Sequence, residues 1–395
     1  LDQVNQSSKP KSKRILFIDA LRAYAILMML QGHFIDTLLA DKYRNPESLL
    51  YSAWNFMRGM TAPIFFTSSG LIVVFLMLKD GRPLKDNIRV KKGIRRGFFL
   101  ILLGYLLKWN LGAVLKFQFY RSFISLDVLH SIGIALLLLI MAYALHKVSR
   151  IPLLFYLFFM GMGVFLLYNP MLTHDWSGLP IFFQNYVTLA NGSVFTPIPW
   201  VGYTLIGGLL GWQVHHFQKW YATIWSAIPV FLVGLTLHLY SYELTKGLSD
   251  LISWPILLGL VEQQWLFWRM GQVFIVLSLF ILLTQIFYRF IPALFLTIGS
   301  ETLTIYSVHY VLLYGTWTGI GLKSILGERS LNAWQAGVGA VLFIAFFVYL
   351  VYRLEDIRAW LDKEVSEKVK SFLAPFQRRI GQVLRRIFTK KDTQA

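Results

Sequence analysis

From Ile15 onward the chain alternates long apolar runs with short polar joints. The runs are about 20 residues long, enough for a helix to cross a bilayer core. They predict ten spans, at about 15–39, 54–78, 97–115, 123–145, 151–168, 200–214, 224–240, 270–287, 293–317 and 331–352. A span in lipid must satisfy its own backbone, so each is expected as a helix. The predicted fold is an all-α polytopic membrane protein, a single bundle of about ten transmembrane helices over residues 15–352. Residues 1–14 read as a basic cytoplasmic tail. Residues 353–395 read as a second basic tail, an amphipathic helix on the membrane surface carrying Arg378, Arg379, Arg385 and Arg386.

The pattern is irregular in places. The front of the second span, from Trp54 to Pro63, is interrupted by Gly59 and Pro63 and is expected to be irregular. Residues 79–96 read as a strongly basic loop. Residues 169–199 read as a long loop with one acid, Asp175, and no Lys or Arg. Residues 241–268 are aromatic and of mixed polarity and suit an interfacial helix. Gly207 and Gly211 lie four apart in the sixth span, which suits close helix packing.

Composition agrees with a membrane chain. Hydrophobic residues make up 56% and charged residues 15%, less charge than a soluble domain carries. The net charge of +18 is better read as orientation and contact with anionic lipid than as nucleic-acid binding. The basic segments are the N-tail, 79–96, His146 to Arg150, His215 to Lys219, Arg289 and the C-tail. With ten spans they fall on one side, which places both termini in the cytoplasm. Cysteine is absent, which excludes disulfides, thiolate metal sites and a Cys nucleophile. The start lacks a cleavage signal, so the run from Ile15 is expected to be retained as the first span.

That first span carries Asp19, Arg22 and His33. On a helix Arg22 and His33 share a face about 16 Å apart, with Asp19 beside Arg22. Ionisable groups at membrane depth usually face a protein interior or a wet path and mark function. The simpler alternative is headgroup anchoring, with Asp19 paired to Arg22 and His33 snorkelling at the other end. His33 falls toward the outer side, where an imidazole suits a general base or an acyl relay. His309, and Asp127 with His130, fall on the same side, and a shared outer cavity would explain all three histidines. Separate, satisfied histidines at helix ends are the competing account.

No HxxxH or HxxE spacing gathers metal ligands, and no metal is expected. Arg89, Lys91, Lys92, Arg95 and Arg96 could hold the phosphates of a nucleotide-bearing donor, or simply set topology. Trp200, beside Pro199 at the outer boundary, suits an interface anchor or a cavity wall.

Together these residues resemble the transmembrane acyltransferase superfamily. Arg22 and His33, with ten residues between, match the first-span spacing of the acyltransferase-3 family, and Arg95-Arg96 loosely match its Arg-rich motif. The wider resemblance is to the heparan-α-glucosaminide N-acetyltransferase-like family. It runs in order through Ile18-Asp19 to Arg22, Ala62-Pro63 to Gly70, Leu126-Asp127 to Gly133, Pro199-Trp200 to Gly211 and Gly299-Ser300 to His309. One departure stands out. Lysosomal members place their catalytic His before a Trp-Asn pair, and Trp54-Asn55 has no His between it and His33.

The resemblance implies transfer of an acyl group, acetyl first among them, from cytoplasmic acyl-CoA to a sugar hydroxyl or amine of an envelope glycan. It implies His33 as base or relay, Arg22 and Asp19 lining the path, and His309 and His130 as secondary catalytic candidates. Arg89, Lys92, Arg95 and Arg96 would hold the donor, and Trp54, Asn55, Asp127 and Trp200 the acceptor. The expected setting is a bacterial inner membrane, with membrane lipid and a glycan acceptor as partners, no nucleic acid, and room for a homo-oligomer. A transporter or lipid-linked glycan translocase is the first alternative, although no internal repeat is seen. A non-catalytic membrane subunit of an envelope assembly is the second.

Overall fold

The computed structural model describes residues 16–366. Helices run in the order α1 Leu16–Leu38, α2 Leu49–Gly59, α3 Thr61–Asp80, α4 Ile88–Lys108, α5 Val128–Ser149, α6 Leu153–Leu166, α7 Pro197–His216 and α8 Ala227–Ile252. They continue with α9 Trp265–Ile286, α10 Ala293–Ser300, α11 Thr302–His309, α12 Ala333–Tyr352 and α13 Leu354–Leu361. Among the described residues there is no strand, and two isolated bridges, Leu39 with Leu331 and Asn110 with Trp317, tie loops together.

The chain is an all-α membrane protein. Among the described residues, six stretches are long and apolar enough to cross a bilayer: 49–80, 121–149, 153–173, 224–252, 265–286 and 333–352. The other expected places are helical too: α1, α4 and α7 carry polar, charged or small residues, and the 293–317 run is broken. That break falls at Glu301, between α10 and α11, and a π-helical turn over Tyr310–Tyr314 follows.

Four local expectations need correction. The stretch before Pro63 is not irregular: it is the regular helix α2, separated from α3 only at Met60. Pro63 fits because the first turn of a helix needs no backbone donor there. The basic segment is not all loop either. Asn87 accepts hydrogen bonds from the amides of Arg89 (2.9 Å) and Val90 (3.2 Å), and so starts α4 ahead of the basic cluster. Its side-chain Nδ2 donates to the Met77 carbonyl at 3.0 Å, tying α4 to the end of α3. Helix α8 runs on to Ile252 through a kink at Tyr240, followed by a short helix Pro255–Glu262. The 169–199 loop holds short helices Tyr168–Thr173 and Ile181–Val187.

Packing relies on small residues, since lipid gives helices no hydrophobic drive to associate. A Cβ on Gly70 would overlap the Thr204 carbonyl, one on Gly207 the Thr67 carbonyl, and one on Gly211 the Leu71 carbonyl. Helices α3 and α7 therefore touch backbone to backbone, the packing role their spacing suggested. A Cβ on Gly299 would overlap the Asp19 carbonyl, so α10 is pressed against α1 in the same way.

The chain divides after Ile344 into two compact units, with the boundary inside α12. In the second unit, α13 follows α12, and Arg353 Nε lies 3.2 Å from Asp356 Oδ2. The tail of residues 1–14, and Arg378, Arg379, Arg385 and Arg386, lie outside the described residues.

Candidate active site

The first unit encloses a cavity of about 290 Å³ between α1, α2, α3, α4, α5, α11 and the start of α7. It is continuous from Arg22, Arg96 and Thr302 to His33, Arg58, Asp127 and Tyr306, with Phe65, Phe195 and Trp200 among its apolar walls. The polar stripe of α1 thus faces protein interior, as its cost in lipid required.

At one end Arg22 Nη2 donates to Thr302 Oγ1 at 2.9 Å, while its buried Nε finds no partner. Arg96 lines the same end. Two guanidinium groups line that end, with the single carboxylate of Asp19 one turn from Arg22 on α1, and the surplus positive charge suits an anion.

At the other end, Nδ1 of His33 lies 3.2 Å from Nε2 of His309 and 3.2 Å from the Tyr314 hydroxyl. Asp127 sits nearby as the N-cap of α5. Its carboxylate accepts from the Val128 amide at 2.7 Å, the Tyr306 hydroxyl at 2.8 Å and the Tyr310 hydroxyl. A buried carboxylate needs such donors to stay ionised, and here α11 and the π turn supply two of them. Tyr306, Tyr310 and Tyr314 recur every fourth residue, so helical repetition brings all three to this end of the site.

Arg58, which sequence reasoning missed, also lines the cavity. It pairs with Asp36 of α1, which lies 3.9 Å from Arg44 as well. None of α2's residues is buried. Its attachments are polar: the Asp36 pair, the indole of Trp54 donating to Gln31 Oε1 at 2.5 Å, and Arg269 against Gly59. The signal for Arg58 was available, a lone cation inside the predicted second span at 54–78.

The structure gathers some sequence candidates and separates others. Arg22, His33, Arg96, Asp127 and Trp200 line the cavity, and His309 backs His33. His130 does not line it. Its Nδ1 accepts from the Asp127 amide at 3.0 Å and its ring packs on Tyr105, so it helps cap α5. Asp19 sits on α1 behind the wall, its carbonyl against Gly299. Arg89, Lys92 and Arg95 are exposed and off the cavity, whereas Arg96, exposed as well, lines it. Trp54 acts through Gln31, and Asn55 is exposed and off the cavity. His215 and His216 end α7 rather than forming a loop. Among the described residues no group of three or more His, Asp or Glu is placed to hold a metal ion.

A family model described as Heparan-alpha-glucosaminide N-acetyltransferase, catalytic, matches residues 14–242. That stretch supplies α1 to α5 and Trp200, whereas Thr302, Tyr306 and His309 come from beyond it. No curated protein matches the chain.

Proposed function

The chain belongs to the heparan-alpha-glucosaminide N-acetyltransferase catalytic family, and from that premise we propose that it moves an acyl group, acetyl first, across a membrane. The donor is acyl-CoA entering from the cytoplasm, and the acceptor is a hydroxyl or amine of an envelope glycan on the far side. One observation carries this reading. A single cavity has paired arginines, Arg22 and Arg96, at one end and His33 at the other.

The donor's anionic part is held at the Arg22 and Arg96 end, and the thioester arm extends along α1 toward His33. Nδ1 of His33 donates its proton to Nε2 of His309, which leaves Nε2 of His33 as the base. As the acceptor oxygen or nitrogen attacks the thioester carbonyl, Nε2 takes its proton. The new C–O or C–N bond forms, the C–S bond breaks, and the thiolate recovers the proton as free thiol. The imidazolium formed in between is steadied by His309 and by the nearby Asp127 carboxylate. Asp127, held by two tyrosines, thus acts on His33 by charge.

The asymmetric distribution of Lys and Arg supports both termini on the cytoplasmic side of a bacterial inner membrane. The test is transfer of labelled acetyl from acetyl-CoA outside proteoliposomes to a saccharide acceptor sealed within. Label should appear on the acceptor with the wild-type protein and not with His33→Ala. Full transfer by the variant would sink the assignment.

A further inference from the structure

A second cavity, of about 390 Å³, opens where α8 kinks and α9 begins. The kink at Tyr240 departs from helical geometry (φ −117°, ψ 22°) and presents Ser241, Tyr242 and Glu243 to the start of α9, which contributes Trp265 and Trp268, with Gln264 just before it. We propose that this cavity is a pyranose-binding subsite.

The chemistry of its walls selects that ligand class. Trp265 is a fixed platform: its indole N–H donates to Gln263 Oε1 at 2.9 Å and its ring meets Tyr168 edge-on at 5.9 Å. An indole face without rotamer freedom suits the C–H face of a sugar ring. Around it stand groups that bond hydroxyls. Glu243 has no ion pair or hydrogen bond among the described residues. Gln264 is engaged only loosely, by Ser241 Oγ at 3.5 Å. A carboxylate and an amide side by side accept from and donate to adjacent hydroxyls.

Charge argues against other ligands. A quaternary ammonium would want this carboxylate and these rings. However, the Arg269 guanidinium already sits 4.7 Å from the Trp268 ring centre, and Lys246 Nζ lies 5.9 Å from that of Tyr242. His238 stacks on Trp268 at 5.6 Å, so that ring is largely spoken for by nitrogenous groups. An anion would meet Glu243 head-on. A neutral polyhydroxyl ligand is compatible with both signs.

Position ties the subsite to the first cavity. Arg269 reaches the Phe56 carbonyl at 3.5 Å and abuts Gly59, which lines the first cavity, and Trp268 meets Phe56 at 6.2 Å. Only the last turn of α2 separates the two. One sugar seated against Trp265 would therefore hold a neighbouring unit near the first cavity's entrance. That this sugar belongs to the acceptor rests on the acyl-transfer reading; that a sugar binds does not.

The experiment is saturation-transfer NMR on the full chain in phosphatidylcholine nanodiscs, free of glycoside detergent and without acyl-CoA. One arm adds cellotetraose or chitotetraose; the other uses nanodiscs containing glucosyl-diacylglycerol, which separates a soluble glycan from a glycolipid headgroup. Saturation of pyranose C–H protons in either arm is expected. Binding should weaken about tenfold in Trp265→Ala and in the gentler Glu243→Gln, and persist in His33→Ala. No transfer in either arm, or equal signals from wild type and Glu243→Gln, would overturn the proposal. Sugar binding by a wild-type chain that transfers no acyl group would instead count against the acyl-transfer reading alone.

Discussion

Nε2 of His309 lies 3.2 Å from Nδ1 of His33, across 276 residues of sequence. In the proposed mechanism His309, with the Tyr314 hydroxyl at the same 3.2 Å, is the partner that fixes which nitrogen of His33 works. His309→Ala is expected to lower kcat about 100-fold with KM for acyl-CoA little changed, as loss of a general-base orienter does. His309→Asn, which can still accept from His33, should recover part of it. Steady-state kinetics in proteoliposomes would decide, and a kcat untouched in the alanine variant would break the pairing.

The arginine pair is expected to act on binding. Arg22→Gln or Arg96→Gln should raise the KM for acyl-CoA about tenfold, the worth of one charge-assisted hydrogen bond, with a smaller effect on kcat. Lys92→Gln and Arg95→Gln, on the exposed face of α4, should change KM by less than about twofold. Equal effects from all four would favour a diffuse surface charge over a site.

Apart from the Phe56 ring against Trp268, helix α2 is held by polar contacts. Asp36→Asn removes the carboxylate charge that Arg58 and Arg44 share. Hydrogen exchange should then quicken across residues 49–59, while α1 and α3 stay protected. Unchanged exchange in α2 would mean the pair contributes little.

At the α3 and α7 contact a single methyl group has nowhere to go. Gly207→Ala should destabilise by about 1–3 kcal/mol or prevent folding, because the obstacle is the Thr67 backbone and not a flexible side chain. Gly163→Ala, with open space around it, is the matched control. Thermal melts of both in nanodiscs make the comparison; equal melting temperatures would contradict the packing described.

The helical fold was legible because apolar length is a strong signal, and every expected span has a helix at its place. Where reading failed, a short-range cue was outweighed or overlooked. The basic run after Gly81 looked like a loop by charge, yet Asn87 is a good N-cap standing two residues before Arg89. The break at Glu301 follows Gly299-Ser300, a local cue that the length of the apolar run outweighed.

The site was half legible. Costly groups in α1 pointed at Arg22 and His33, and position pointed at His309. What periodicity could have shown, and did not, was the tyrosine ladder from Tyr306 to Tyr314 beside His309. His130 caps α5 and stays off the cavity wall, and in sequence an imidazole that caps a helix looks like one that does chemistry.

The two ends of the cavity are spanned by the same pair of helices. Arg22 and His33 on α1 meet Thr302 and His309 on α11. Along α1 the spacing is about 16 Å, whereas from Thr302 to His309 it is about 10 Å. The missing length of about 6 Å falls within the reach of one extended arginine side chain. Arg22 is therefore a gauge as well as a charge. It ties α11 to α1 at this end of the cavity, as His309 and His33 do at the other. A shorter residue there would leave Thr302 without that partner and remove the tie between α1 and α11 at this end of the cavity.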